Sequence, residues 1–208
     1  PPLFSSAASD VYKRQVIMST NNEIEFKQLI DFNTYNAIKA SYFKQLTPFT
    51  QINYYIETPS FKLRDHRSAL RIRVKQNRFE ITLKVPAKVG LIEYNHPIDM
   101  KPHIGQTIVK STLPNDIQNI LTEFDIGENE LSVLGALTTE RLEVEFQNEL
   151  LVLDKSQYFD KTDYELEFEV NDYQIGFEKF QNLLKQFNLV HEPPKNKVQR
   201  FFEYQAQL

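Results

Sequence analysis

Glu23-Ile24-Glu25-Phe26-Lys27 alternates charged and apolar side chains with a period of two. Successive side chains of a strand point to opposite faces, so Glu23, Glu25 and Lys27 project together while Ile24 and Phe26 face the other way. Two carboxylates beside an ammonium suggest a metal-bound anion site. The same alternation returns in four later segments. Arg71, Arg73 and Lys75 flank Ile72 and Val74; Thr82 and Lys84 flank Leu83; Arg141, Glu143 and Glu145 alternate with Leu142, Val144 and Phe146; Glu165, Glu167 and Glu169 alternate with Leu166, Phe168 and Val170. The charges fall into acidic and basic blocks.

Working outward from these strands, Asp31 is placed to cap a helix carrying Tyr35, Ile38, Tyr42 and Leu46, closed by Pro48. Residues 51–58 are rich in β-formers, and Gln76-Asn77-Arg78 has the length and polarity of a hairpin connection, making 69–75 and 79–85 antiparallel neighbours. A strand over 91–99 is expected to end early or lie at an edge because of Pro97. A helix near 114–124, strands at 139–147, 150–155 and 163–171, and a helix over 172–187 with Phe177, Phe180, Leu184 and Phe187 on one stripe follow. After Pro193-Pro194, Lys197-Val198-Gln199-Arg200-Phe201-Phe202 reads as a returning strand.

The chain has 208 residues, 41% hydrophobic and 12% aromatic, enough to bury a sizeable core in one domain. A net charge of −4 argues against a nucleic-acid partner, whose binding surface demands strong positive charge. With zero cysteines there is no disulfide scaffold, thiolate metal site or cysteine nucleophile, and a cytoplasmic location is the default. No apolar run approaches 18 residues, so no membrane span and no membrane partner are expected. Residues 1–17 lack periodicity and precede Met18; they read as a non-native or disordered leader, leaving 18–208 as the single domain. The four histidines are scattered, no glycine-rich run precedes Lys-Ser or Lys-Thr, and Gly-x-Ser-x-Gly is missing, which removes zinc, P-loop and serine-hydrolase chemistry.

Three amphipathic helices need the apolar side of the sheet as their partner, which leaves the charged side to line whatever the sheet encloses. A sheet that curls shut around such a face makes an aqueous tunnel rather than a packed core. Arg and Lys suit phosphate oxygens, and carboxylates without His or Cys select a hard ion such as Mg²⁺ or Mn²⁺. Triphosphate chemistry follows from residue types alone.

At this point the residues resemble the CYTH domain of the triphosphate tunnel metalloenzymes, in its small bacterial form. The carriers are Glu23-Ile24-Glu25-Phe26-Lys27, Asn53-Tyr54-Tyr55-Ile56-Glu57-Thr58-Pro59, Leu70-Arg71-Ile72-Arg73, Thr82-Leu83-Lys84, Glu93, Arg141 and Asp163-Tyr164-Glu165-Leu166-Glu167. The resemblance implies an α+β fold: an eight-stranded antiparallel β-barrel with a polar interior and helices packed outside. It further implies divalent-metal-dependent hydrolysis of a triphosphate, inorganic triphosphate foremost, with Mg²⁺ or Mn²⁺ as cofactor. Glu23, Glu25, Asp154, Glu165 and Glu167 resemble the metal carboxylates, with Glu165 and Glu167 on the wall opposite the first pair. Lys27, Arg71, Arg73, Lys84, Arg141 and Lys197 resemble the phosphate contacts, and Glu93 and Glu169 are further tunnel residues. Glu23, Glu25, Lys27, Glu165 and Glu167 would form the catalytic set. Glu57 departs from the Asp common in the family. The alternatives within the same site are a class IV adenylyl cyclase and a thiamine triphosphatase; outside catalysis it is a polyphosphate- or nucleotide-binding module. The expected partner is a small triphosphate-containing molecule, bound by one copy of the chain or by a homodimer.

Overall fold

The computed structural model describes residues 19–208, so the expectations for residues 1–17 and Met18 lie outside the described residues. The strands are β1 (Ser19–Ile30), β2 (Phe49–Glu57), β3 (Ala69–Lys75), β4 (Arg78–Pro86), β5 (Leu91–Ile98), β6 (Thr107–Ile108), β7 (Leu131–Phe146), β8 (Glu149–Tyr158) and β9 (Lys161–Val170). The helices are α1 (Phe32–Tyr42), α2 (Lys62–Asp65), α3 (Asn115–Glu123), α4 (Tyr173–Lys185) and α5 (Lys197–Gln205). Around the sheet the strands run β2-β3-β4-β5-β1-β9-β8-β7, and β2 pairs with β7 to close the ring; β6 adds two residue pairs to β7. Every pairing is antiparallel, so the closed unit is an eight-stranded barrel.

Alternation decides which side is wet. The outward side chains of β1, β7, β8 and β9 form one core with α1 and α4, in which Ile38, Phe168, Phe180 and Leu184 are fully buried. Those of β2, β3 and β4 form a second core with α2 and α3, including Leu63, Leu70, Ile72, Ile81, Leu83, Ile117 and Leu121. Full burial of such a side chain contributes roughly 1.5–3 kcal/mol, so these two outer cores carry the fold and the interior is free to hold charge. Asp31 caps α1 by accepting the Thr34 N–H at 2.7 Å, and Asp172 caps α4 through Ile175 N–H at 2.9 Å. The β3–β4 hairpin turns at Gln76 and Asn77, both at positive φ (50° and 60°), as its two-residue connection requires.

Several expectations change. α1 stops at Tyr42, short of Leu46, and β5 runs through Pro97 to Ile98 between β4 and β1 rather than at an edge. β7 begins at Leu131 rather than 139: residues 131–138 carry no charge, and Gly135 interrupts the pattern, yet this half pairs with β2 and closes the ring. Residues 197–202 form the start of α5 and not a strand. Asn196, just past Pro193-Pro194, accepts the Gln199 N–H at 2.8 Å and starts a helix. α5 lies across one end of the barrel, with Phe201 seated among Tyr55, Leu137 and Tyr158. It fits there because Gly135 lies beneath it; a Cβ at that position would sit 2.2 Å from the Phe201 ring.

Candidate active site

One side of the interior is acidic. β1 presents Glu23, Glu25 and Lys27; β9 presents Glu165, Glu167 and Glu169; β8 adds Asp154. The register sets Glu25 beside Glu169, Lys27 beside Glu167, and Glu165 beside Asp154. Glu165 and Glu167 therefore stand next to the first carboxylate pair and not on the opposite wall. The reason is ring closure: β5 pairs with β1 only over Ser19–Glu23, and β9 takes Ile24–Ile30.

Buried carboxylates require counter-charge. Lys84 sits 2.5 Å from both Glu23 and Glu93; burial and Lys84 compete at each, leaving Glu23 raised and Glu93 lowered to about 2. Lys27 lies 2.8 Å from Glu25 and 3.7 Å from Glu167. Arg141 grips Asp154 with a two-bond fork (2.8 and 2.6 Å) and reaches Glu167 at 2.8 Å. The Lys197 ammonium is enclosed by Asp154 at 2.7 Å and by Glu165 and Glu167. Burial opposes the charged form of Lys197, Lys27 and Arg141, but their carboxylate neighbours override it and raise all three. Glu169 lacks such a partner: burial and nearby Glu23 and Glu167 push its carboxyl up to about 7.

The true opposite wall is basic. β3 lies four strands from β9 around the ring of eight, and it turns Arg71 and Arg73 inward. Among the described residues neither makes an ion pair. Arg73 Nε donates to Asn53 at 3.1 Å, and Arg71 Nε is buried with no acceptor. Burial, together with Arg71 and Arg141, brings Arg73 down to about 10. Lys75, on the same face, lies 3.6 Å over the Phe49 ring instead of in the cluster.

Glu57 takes no part in this wall. Its carboxylate, 2% exposed, accepts the backbone N–H groups of Thr58, Leu63 and Arg64 at 2.8, 3.0 and 3.0 Å, which secures the turn into α2. Glu57→Ala is expected to cost about 3 kcal/mol, since it orphans donors worth ~1–3 kcal/mol each when buried. A denaturation midpoint measures this; an unchanged midpoint would show that water replaces the carboxylate freely.

The residues at the site to which the sequence reading gave no role are Arg200, Asp163 and Tyr158. Arg200 contacts Asp163 and Glu165, at 2.9 and 2.8 Å, and Tyr158 donates its hydroxyl to Asp163 at 2.9 Å. Asp163 could have been found, as it alternates in step with Glu165 and Glu167. Arg200 could not: strand periodicity puts it opposite Lys197, whereas helical spacing puts both on one face.

The donor set, all carboxylate oxygen, fits a hard divalent ion by its chemistry. Among the described residues no three acidic side chains converge at ligand distance; Glu23, Glu25, Asp154, Glu165 and Glu167 are each turned to Lys or Arg.

Residues 21–202 match the family model described as the CYTH domain. A Bacillus subtilis (strain 168) protein, YjbK, named as a candidate triphosphatase, is 36% identical over 187 residues, covering 89% of this chain and 97% of its own. A Bacillus halodurans structure solved as a candidate adenylate cyclase is 31% identical with a TM-score of 0.79, covering 89% of this chain and 100% of that one. The Hippeastrum protein HpAC1 shares the fold at 24% identity and a TM-score of 0.71, over 88% of this chain and 96% of that one.

Proposed function

The chain belongs to the CYTH domain family, and from that premise we propose that it hydrolyses a triphosphate, inorganic triphosphate foremost, with Mg²⁺ or Mn²⁺. The observation that carries this reading is the pair Arg71 and Arg73: two inward guanidiniums without a carboxylate partner, facing an acidic wall across the tunnel. Cations kept close together at the cost of mutual repulsion are arranged for an anion, and the planar Arg fork matches phosphate oxygens.

In this reading Glu23, Glu25, Asp154, Glu165 and Glu167 hold the divalent ion, with Glu93 and Glu169 as outlying carboxylates. When bound, the ion supplies charge stabilisation at phosphoryl oxygens and lowers the pKa of the attacking water. Arg71 and Arg73 fix the phosphate chain in line for attack. Lys27, Lys84, Arg141 and Lys197, each within reach of both the carboxylates and the lumen, balance the charge that develops on the transferred phosphoryl group. Because these four are already ion-paired, substrate binding must compete with Glu23, Glu93 and Glu167 for them. Arg71 and Arg73 give up no such partner.

Phosphate release from inorganic triphosphate, ATP and thiamine triphosphate, each with Mg²⁺, Mn²⁺ or EDTA, tests this. Fast, metal-dependent release from inorganic triphosphate is expected. Cyclic AMP from ATP would establish the cyclase reading instead, which the similarity to the Bacillus halodurans protein keeps in view. Tight triphosphate binding without turnover would leave a binding module.

A further inference from the structure

The geometry points to Arg200 as a positioning residue that holds the Glu165 carboxylate in place through an ion pair, so that α5 completes the site it covers. This rests on the reading of Glu165 as a site carboxylate. Glu165 is 1% exposed, and α5 brings a cation to each oxygen: Lys197 Nζ donates to Oε1, and Arg200 Nη1 lies 2.8 Å from Oε2 as an ion pair without hydrogen-bond alignment. The two contacts differ in kind. Lys197 is a point charge shared among Asp154, Glu165 and Glu167, and it can shift without turning any of them. Arg200 is planar and is itself fixed. Its Nε donates to Asp163 Oδ2 at 2.9 Å, Nη1 also donates to the Lys195 carbonyl, and Asp163 Oδ2 accepts the Tyr158 hydroxyl.

Asp163 and Glu165 are two apart on β9 and share a face, so one guanidinium spans both. The next residue, Phe201, is packed against Tyr55, Tyr158 and Leu137, which fixes the rotation of the helix and the origin of the Arg200 side chain. Helix anchoring alone does not account for Arg200. Its Nη2 is buried with no acceptor, and an apolar side chain would hold α5 without that penalty.

Arg200→Ala, Arg200→Lys, Glu165→Gln and the Arg200→Ala/Glu165→Gln double variant test the assignment. The readouts are kcat and KM for tripolyphosphate with Mn²⁺, melting temperature, and calorimetric tripolyphosphate binding to metal-free protein. Arg200→Ala should lose about 10–100-fold in kcat, the range seen when a partner that orients a site ligand is removed, while KM and metal-free binding stay nearly level. Arg200→Lys should keep the melting temperature and stay low in kcat, because one ammonium cannot keep the bonds to Asp163 and the Lys195 carbonyl and also lie against Glu165. The double variant should be no slower than Glu165→Gln. Normal kcat in Arg200→Ala, full recovery in Arg200→Lys, or losses that multiply in the double variant would each overturn the assignment. Normal turnover by Glu165→Gln would instead remove Glu165 from the site, and the assignment with it.

Discussion

Glu25→Gln should fold as the parent does and lose roughly 10²–10³ in kcat, about 3–4 kcal/mol of transition-state stabilisation. The substitution keeps the shape of the side chain and removes its charge. Glu25 is bound to Lys27 alone, at 2.8 Å and near the lumen, so little of the fold depends on it. Its value lies in what it does for the reaction: it is one of the few site carboxylates not committed to a guanidinium or to the Lys197 hub. Steady-state rates with saturating Mn²⁺, read beside a melting curve, decide the matter. Parent-like turnover would take Glu25 out of the site; a fall in melting temperature that accounts for all of the lost activity would make it structural.

Arg71→Ala should weaken tripolyphosphate binding by about 100-fold or more, since a charge-assisted hydrogen bond to an anion is worth ~1.5–3 kcal/mol and the fork makes two. Stability should scarcely change. Arg71 makes no close ion pair, and removing it relieves the repulsion that helps depress Arg73 while giving up its longer-range attraction to Glu93. Arg73→Ala should also weaken binding far more than it lowers the melting temperature, with a somewhat larger stability cost because Asn53 loses its donor. Calorimetric titration of tripolyphosphate into each variant separates the cases. Unaltered binding with a large stability loss would mean that the pair supports the barrel and not a ligand.

Much of the site was legible because a strand has an exact period. Glu23, Glu25 and Lys27, Arg71 and Arg73, and Glu165 and Glu167 each declare a common face by alternating with Ile, Leu and Phe, and the outer cores confirm which face is dry. The same rule failed at Lys197 to Phe202, where four to six residues of mixed polarity fit a strand as readily as a helix. One deciding fact is local, the Asn196 cap; the other is tertiary, the space above Gly135 that seats Phe201.

Which residues share a face was therefore determined by the sequence itself: the acidic and basic strands and the apolar stripes of the helices. Which faces meet was decided only by the tertiary structure. Periodicity reports the direction of a side chain relative to its own strand and carries nothing about the neighbouring strand. Closure of the ring placed β9 beside β1 instead of across from it, set Arg71 and Arg73 on the far wall, withdrew Glu57 to the turn into α2, and brought Arg200 down onto Glu165 from a helix outside the sheet.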